Sequence, residues 1–373
     1  MNLRVLHITP TFHPAIGGLE AVVQHLCEHL AKLGVQADVA HVARNLDNGS
    51  ERFRGIAVRR TPLYGHFFVG WAPGLRKAVA DYDLLHVHDP QLLSLTANVM
   101  VYGGGKPAVL STHGGFLHTR KFARFKSLHE RWLMSYMLSR YRLVLASSSS
   151  DECYYSRFAR NVVLAENGVD VSRFSAIRPN EDQSPWNWVY WGRLSQNKRL
   201  DQVISLAKRA RMLGYPVSLV ITGKDFDGTE SELRAGLDPE AASFVTLYGP
   251  SSDAELSVLI RQSTVFVTAS EHEGFGLSIV EAMAAGLVVI CRDIPPLNGF
   301  VDGECGLLMN FDGSDLDTQK LSAFLRNFDN RRLSLRTEAR TRAQRYDWSV
   351  AVKKFVKFYQ ETLRHAGETG VES

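Results

Sequence analysis

The chain has 373 residues, 45% of them hydrophobic and 22% charged, with a formal net charge of +4. This composition excludes disordered and fibrous proteins, and the charge is too small to argue for nucleic acid as a partner. No apolar run reaches the roughly 18 residues of a membrane span, and no secretory signal pattern precedes the first strand-like run, so the expectation is a cytoplasmic protein, free or lying on a membrane without crossing it. Length favours two domains. Cys27, Cys153, Cys291 and Cys305 form no C-x-x-C pair and are expected to be buried free thiols.

Short apolar runs at 3–8, 35–42, 84–87, 108–111 and 143–146 predict buried parallel strands. Between the first two, Leu19, Val22, Val23, Leu26, Leu30 and Leu33 follow helical spacing, and Gly34 stands where a C-terminal cap belongs. This alternation predicts a doubly wound α/β domain over residues 1–171. A polar stretch, 172–184, predicts an interdomain linker. The alternation restarts in 185–348, with strands expected at 188–191, 217–222, 244–247, 265–268 and 287–290. Helices are expected at 200–213, 253–261, 278–285 and 316–328, and a final helix at about 349–364. Two such domains facing each other would form a cleft at the carboxyl ends of both sheets, where open α/β sheets bind ligands.

Four strand ends carry candidate chemistry. Glu273-Gly274-Phe275-Gly276-Leu277, with Glu281 inside the following helix, places flexible backbone and free helix N–H groups where a diphosphate would bind. The two carboxylates lie about two helical turns apart and should touch different parts of a long ligand. Trp191-Gly192-Arg193, followed by Lys198, puts two cations after another strand, suited to stabilising a diphosphate leaving group. Gly17-Gly18 opens the first helix but lacks the G-x-G-x-x-G nicotinamide fingerprint; a plain tight turn and a close-contact ligand loop both fit it. His113-Gly114-Gly115 admits a ligand-binding or a structural histidine. Between residues 118 and 142, Arg120, Lys121, Arg124 and Lys126 interleave with aromatic residues including Trp132. That mixture suits an anionic membrane and a lipid tail, or a helix packed on its own domain. The strings Asp81-Tyr82-Asp83 and Asp225-Phe226-Asp227 are read as loop charges rather than metal ligands.

With these motifs together, the chain resembles the retaining GT-B glycosyltransferases of family 4. The Glu-x7-Glu pair falls on Glu273 and Glu281, the phosphate-binding pair on Arg193 and Lys198, and the Gly-Gly loop on Gly17 and Gly18. His-Pro-x-Ile-Gly-Gly at 13–18, the string at 111–119, Glu-Asn-Gly-Val-Asp-Val at 166–171 and Asp-Ile-Pro-Pro at 293–296 are similar to the mannosyltransferases of exopolysaccharide assembly. The resemblance implies transfer of mannose from GDP-mannose in α-1,3 linkage to a cellobiosyl diphosphopolyprenol at the inner face of the cytoplasmic membrane. It further implies no metal, Glu273 and His113 near the transferred sugar, Glu281 on the nucleotide ribose, an acceptor-binding first domain, and a last helix crossing back to it. Cys291-Arg292 departs from the small or apolar residues common there. A UDP-sugar donor remains the main alternative within transferases. An epimerase or hydrolase of nucleotide sugars, and a non-catalytic sensor, remain open outside them.

Overall fold

The apolar runs become strands because parallel strands covered by helices on both faces have no solvent-facing side to mark with polar residues. The computed structural model describes residues 3–15, 17–88, 93–114, 133–179 and 186–369, the side chains of 366–369 excepted. These divide into two compact units: the described residues up to Gly168 with those from Trp348 onward, and Val169–Asp347.

The first unit contains β1 (Arg4–Thr9), β2 (Gln36–Ala43), β3 (Gly49–Phe53), β4 (Ile56–Pro62), β5 (Leu84–His88), β6 (Ala108–Ser111), β7 (Leu143–Ala146) and β8 (Val162–Leu164). They form one sheet in the order β3-β4-β2-β1-β5-β6-β7-β8. All neighbours run parallel except β3 against β4. The sequence pattern misses β3 and β4, whose apolar signal is diluted by Glu51, Arg52, Arg59 and Arg60; the apolar residues that the hairpin buries are Ile56, Val58 and Pro62. The Gly18–Lys32 helix buries Val22, Val23, Leu26, Cys27 and Leu30. It ends where expected, with Gly34 at a φ of +76°, but Leu33 stays 48% exposed.

The second unit contains β9 (Asn187–Trp191), β10 (Ser218–Thr222), β11 (Val245–Gly249), β12 (Val265–Thr268), β13 (Val288–Arg292) and β14 (Gly306–Met309). Its sheet is parallel throughout, in the order β11-β10-β9-β12-β13-β14. That is the doubly wound Rossmann order, with the topological switch point between β9 and β12.

Three expectations are corrected. The polar stretch does not begin as a linker: Val171–Ser175 is helical, capped by Asp170, and Phe174 and Ile177 are buried in the second unit's core. The helix expected at 316–328 continues as Asp315–Ala343, because its second half buries only Leu335, Arg336, Ala339 and Ala343, too sparse an apolar stripe to read. Cys153 is exposed, whereas Cys27, Cys291 and Cys305 are buried free thiols.

The final helix, Trp348–Thr369, belongs to the first unit. Trp348, Ala351, Val352, Phe355 and Tyr359 make its buried face. Trp348 stacks on His29 at a centroid distance of 5.9 Å. Gly168 lies against the same indole, so that a Cβ there would come within 2.3 Å of a ring carbon.

Candidate functional site

In the second unit, the two strands beside the switch point each end in one of the motifs. β9 runs into Gly192–Lys198, and β12 runs into the loop that opens the Leu277–Ala285 helix. Gly276 caps that helix at a φ of +97°, in the left-handed region where a Cβ is strained. Phe275 is buried edge-on against Phe300, 5.2 Å between centroids, which anchors the turn. The helix N–H groups therefore open at the carboxyl edge of the sheet, where the macrodipole favours an anion.

The two loops are fastened to each other. The Glu271 N–H donates to the Asn197 carbonyl at 3.0 Å, and the Asn197 amide donates to the His272 carbonyl at 2.9 Å. Arg199, at a φ of +45°, reaches Glu271 at 2.7 Å and Asp201 at 2.9 Å. Lys198 Nζ meets Glu273 Oε1 at 2.5 Å, with their side chains only 11% and 12% exposed. Two motifs separated by 75 residues thus share one ion pair. Arg193 is exposed, with its guanidinium 5.1 Å from the Phe226 ring centroid. Its carbonyl accepts from the Tyr190 hydroxyl at 2.9 Å; burial and the Glu273 charge hold that phenol well above its ordinary range.

Glu281 occupies a separate position. Its Oε2 accepts from the Trp191 indole N–H at 2.9 Å, and burial pushes its carboxyl upward against that hydrogen bond. The two glutamates therefore have different partners, Lys198 for one and Trp191 for the other. Gly274 and Leu277 are half-buried on the same turn.

The aspartate strings are part of the loop framework. Asp227 accepts from the Gln196 N–H at 3.1 Å and from the Thr229 hydroxyl, and Asp225 accepts from the Gly228 N–H, bracing the Arg193–Lys198 loop from behind. Asp81 pairs with Arg59, and Asp83 accepts from the Arg4 N–H.

In the first unit, Gly17 precedes the first helix with extended backbone. A Cβ there would come within 2.5 Å of a Glu20 carboxylate oxygen, and Glu20 also accepts from the Thr11 hydroxyl. The Gly17-Gly18 turn thus carries its own anion, which suits a sugar hydroxyl better than a phosphate. His113 follows β6. The loop around it is tied to Asp151, whose Oδ2 accepts from the Thr112 hydroxyl, the Gly114 N–H at 3.1 Å and the Ser147 hydroxyl at 2.9 Å. Burial raises the Asp151 carboxyl while these bonds oppose it.

His113 is joined to histidines that the motif reading missed. Its Nε2 lies 3.0 Å from His88 Nδ1, and His88 Nε2 lies 2.9 Å from His7 Nδ1. His86 spends its nitrogens on the Tyr359 and Ser111 hydroxyls, both at 2.7 Å. Ligand atoms of His7, His86 and His88 all lie within 4.8 Å of one another. Only part of this had a signal in the sequence: His86 and His88 lie two apart and so share one face of β5, whereas the register of β1 against β5 is what sets His7 beside His86. Arg199 and Asn197 gave no comparable signal, since a clamp across 75 residues leaves no local pattern. Arg120, Lys121, Arg124, Lys126 and Trp132, with Gly115, lie outside the described residues.

The family described as Glycosyltransferase Family 4 matches residues 16–173, and the one described as Glycosyl transferases group 1 matches 174–342. The chain is 31% identical over 379 residues to a GDP-mannose:cellobiosyl-diphosphopolyprenol alpha-mannosyltransferase of Xanthomonas oryzae pv. oryzae, covering 97% of each. It is 30% identical to the protein of the same name from Komagataeibacter xylinus, covering 98% of this chain and 95% of that one. Among solved structures it is similar to a sucrose-phosphate synthase from Thermosynechococcus elongatus, with a TM-score of 0.75, 20% identity, and coverage of 97% of this chain and 100% of that one.

Proposed function

The chain belongs to glycosyltransferase family 4 and has the GT-B fold, and from that premise we propose that it transfers mannose from GDP-mannose to a cellobiosyl diphosphopolyprenol, in α-1,3 linkage and with retention of configuration. The observation that carries this reading is the 31% identity spread over 97% of both chains, which takes in both units rather than the sheet framework of one. The enzyme is a glycosyltransferase; the donor base, the linkage and the acceptor are the proposal.

The second unit's site supports a nucleotide diphosphate. The Gly276 helix start and Arg193 supply positive potential where charge grows on the leaving diphosphate, as its bond to the sugar breaks. Lys198 adds to it when its contact with Glu273 is shared with the donor. Glu273, positioned by Lys198, reads the hydroxyls of the transferred sugar. Glu281, with one oxygen on Trp191, has its other oxygen for a ribose hydroxyl. These positive groups can supply the charge stabilisation a divalent ion would give a leaving diphosphate, so the reaction proceeds without a metal cofactor. His113 and the Gly17-Gly18 turn contact neutral sugar oxygens. Residues 118–142 hold the enzyme at the inner face of the cytoplasmic membrane, where anionic lipids attract Arg120, Lys121, Arg124 and Lys126.

The test compares kcat/KM for GDP-mannose, GDP-glucose and UDP-glucose with one lipid-linked cellobiose acceptor, followed by NMR of the product anomer. GDP-mannose is expected to lead, with an α-linked product. Preference for either glucose donor would overturn the donor assignment, and a β-linked product the retaining chemistry.

A further inference from the structure

His7, His88 and His113 form a hydrogen-bonded row running from the core of the first unit to the loop after β6. Burial holds all three imidazoles below their ordinary range, to about 3 for His7 and about 4 for His113. Each ring is therefore neutral near pH 7, with one N–H and one lone pair. In such a row the tautomers are correlated. If His7 donates from Nδ1, His88 accepts at Nε2, donates from Nδ1, and His113 accepts at Nε2, which leaves the proton of His113 on Nδ1. If the row runs the other way, every proton moves to the opposite nitrogen.

The inner end decides the direction. His7 Nε2 is fully buried and has no hydrogen-bond partner. An outward-running row leaves a bare lone pair there; an inward-running row leaves a bare N–H. Orphaned buried N–H groups are rarer in proteins than buried acceptors with an unused lone pair. His86 does not compete for the row, because both its nitrogens are engaged by Ser111 and Tyr359. The same occupancy argues against a metal at the three clustered histidines: with one nitrogen given by each ring, binding would break at least two of the hydrogen bonds that His86 and His88 make.

We propose that His7 and His88 are positioning residues that hold His113 as a neutral Nδ1–H donor, so that it binds an acceptor oxygen of the ligand and does not serve as a proton-accepting base. The ligand oxygen is a sugar hydroxyl, of the donor or of the acceptor. This rests on the transferase reading only for what the ligand is; the tautomer belongs to the protein alone.

The experiment is 15N NMR of the full ligand-free chain labelled at histidine, near neutral pH, with His113 assigned by loss of its signals in His113→Asn. The expected spectrum has a pyrrole-type Nδ1 and a pyridine-type Nε2 on His113, and the same pattern on His7 and His88. A pyrrole-type Nε2 on His113, or two averaged nitrogens, overturns the proposal, as does stoichiometric zinc carried by the three clustered histidines. His88→Leu should collapse the separate His113 shifts toward averaged values, while His88→Asn, whose side-chain amide can donate in place of Nδ1–H, should keep them apart. Unchanged His113 shifts in a folded His88→Leu overturn the positioning role; where that variant does not fold, the wild-type spectrum decides. Adding GDP-mannose and then acceptor separates the oxygen sources: the His113 Nδ1–H signal should move with one of them, and movement with neither overturns the ligand contact. Failure of the donor comparison would leave the ligand-free spectrum as it is, and a reversed tautomer would leave the donor preference as it is.

Discussion

Lys198 and Arg193 follow one strand as two cations suited to a diphosphate, and the structure gives them different surroundings. Lys198 is buried in an ion pair with Glu273; Arg193 is exposed over Phe226. Both Lys198→Ala and Arg193→Ala should lower kcat by about a hundredfold, the scale of removing one stabiliser of transition-state charge. Their stabilities should diverge. Lys198→Ala takes the ion-pair cation from a nearly buried carboxylate and should cost about 3 kcal/mol, whereas Arg193→Ala should stay within about 0.5 kcal/mol. Urea unfolding beside steady-state kinetics checks both. Adding Glu273→Gln to Lys198→Ala should restore much of the stability and none of the activity; recovery of activity would remove Lys198 from the chemistry.

At the scale of elements, the packing of the last helix depends on a missing side chain. Gly168 has room for nothing larger because Trp348 occupies the position of its Cβ. Gly168→Ala should cost about 1–3 kcal/mol by overpacking, and limited proteolysis should then cut the final helix first. The exposed Lys354–Glu166 pair nearby, 3.0 Å apart, should contribute little. A Gly168→Ala chain as stable as the wild type would mean that the indole can move aside.

The buried histidines act on the whole molecule through pH. An unfolded histidine takes up a proton below about pH 6.5, while His7 and His113 stay neutral in the fold down to about 3 and about 4. The unfolded state therefore binds more protons as pH falls, and each such histidine should remove about 1.4 kcal/mol of stability per pH unit below ~6.5, the loss levelling off at about 4 for His113 and about 3 for His7. Unfolding free energies across that range should fall less steeply in His7→Asn and in His113→Asn; unchanged slopes would mean that these rings are protonated in the fold. The charge supplied by Arg193, Lys198 and the Gly276 helix start leads to a further expectation, that transfer activity survives EDTA. Loss of activity on chelation, restored by magnesium or manganese, would show a metal requirement.

The alternation of apolar runs with amphipathic helices was enough to read two doubly wound domains, because covering a parallel sheet with helices imposes that rhythm on local sequence. The Glu273–Glu281 string and the Arg193–Lys198 loop were legible for a related reason: each is a strand end, a turn and a helix start within a few residues. The Gly49–Pro62 hairpin was not legible, because the edge strand β3 and its neighbour β4 carry charge and lose the apolar signal. The extent of the Asp315–Ala343 helix was hidden for want of a dense apolar stripe. Tertiary structure alone decided that Lys198 closes on Glu273, that Arg199 and Asn197 clamp two loops together, and that His7 and His88 stand behind His113. Each of these joins atoms through the side-to-side order and register of strands, which hydrogen bonding between distant segments settles and no local spacing records.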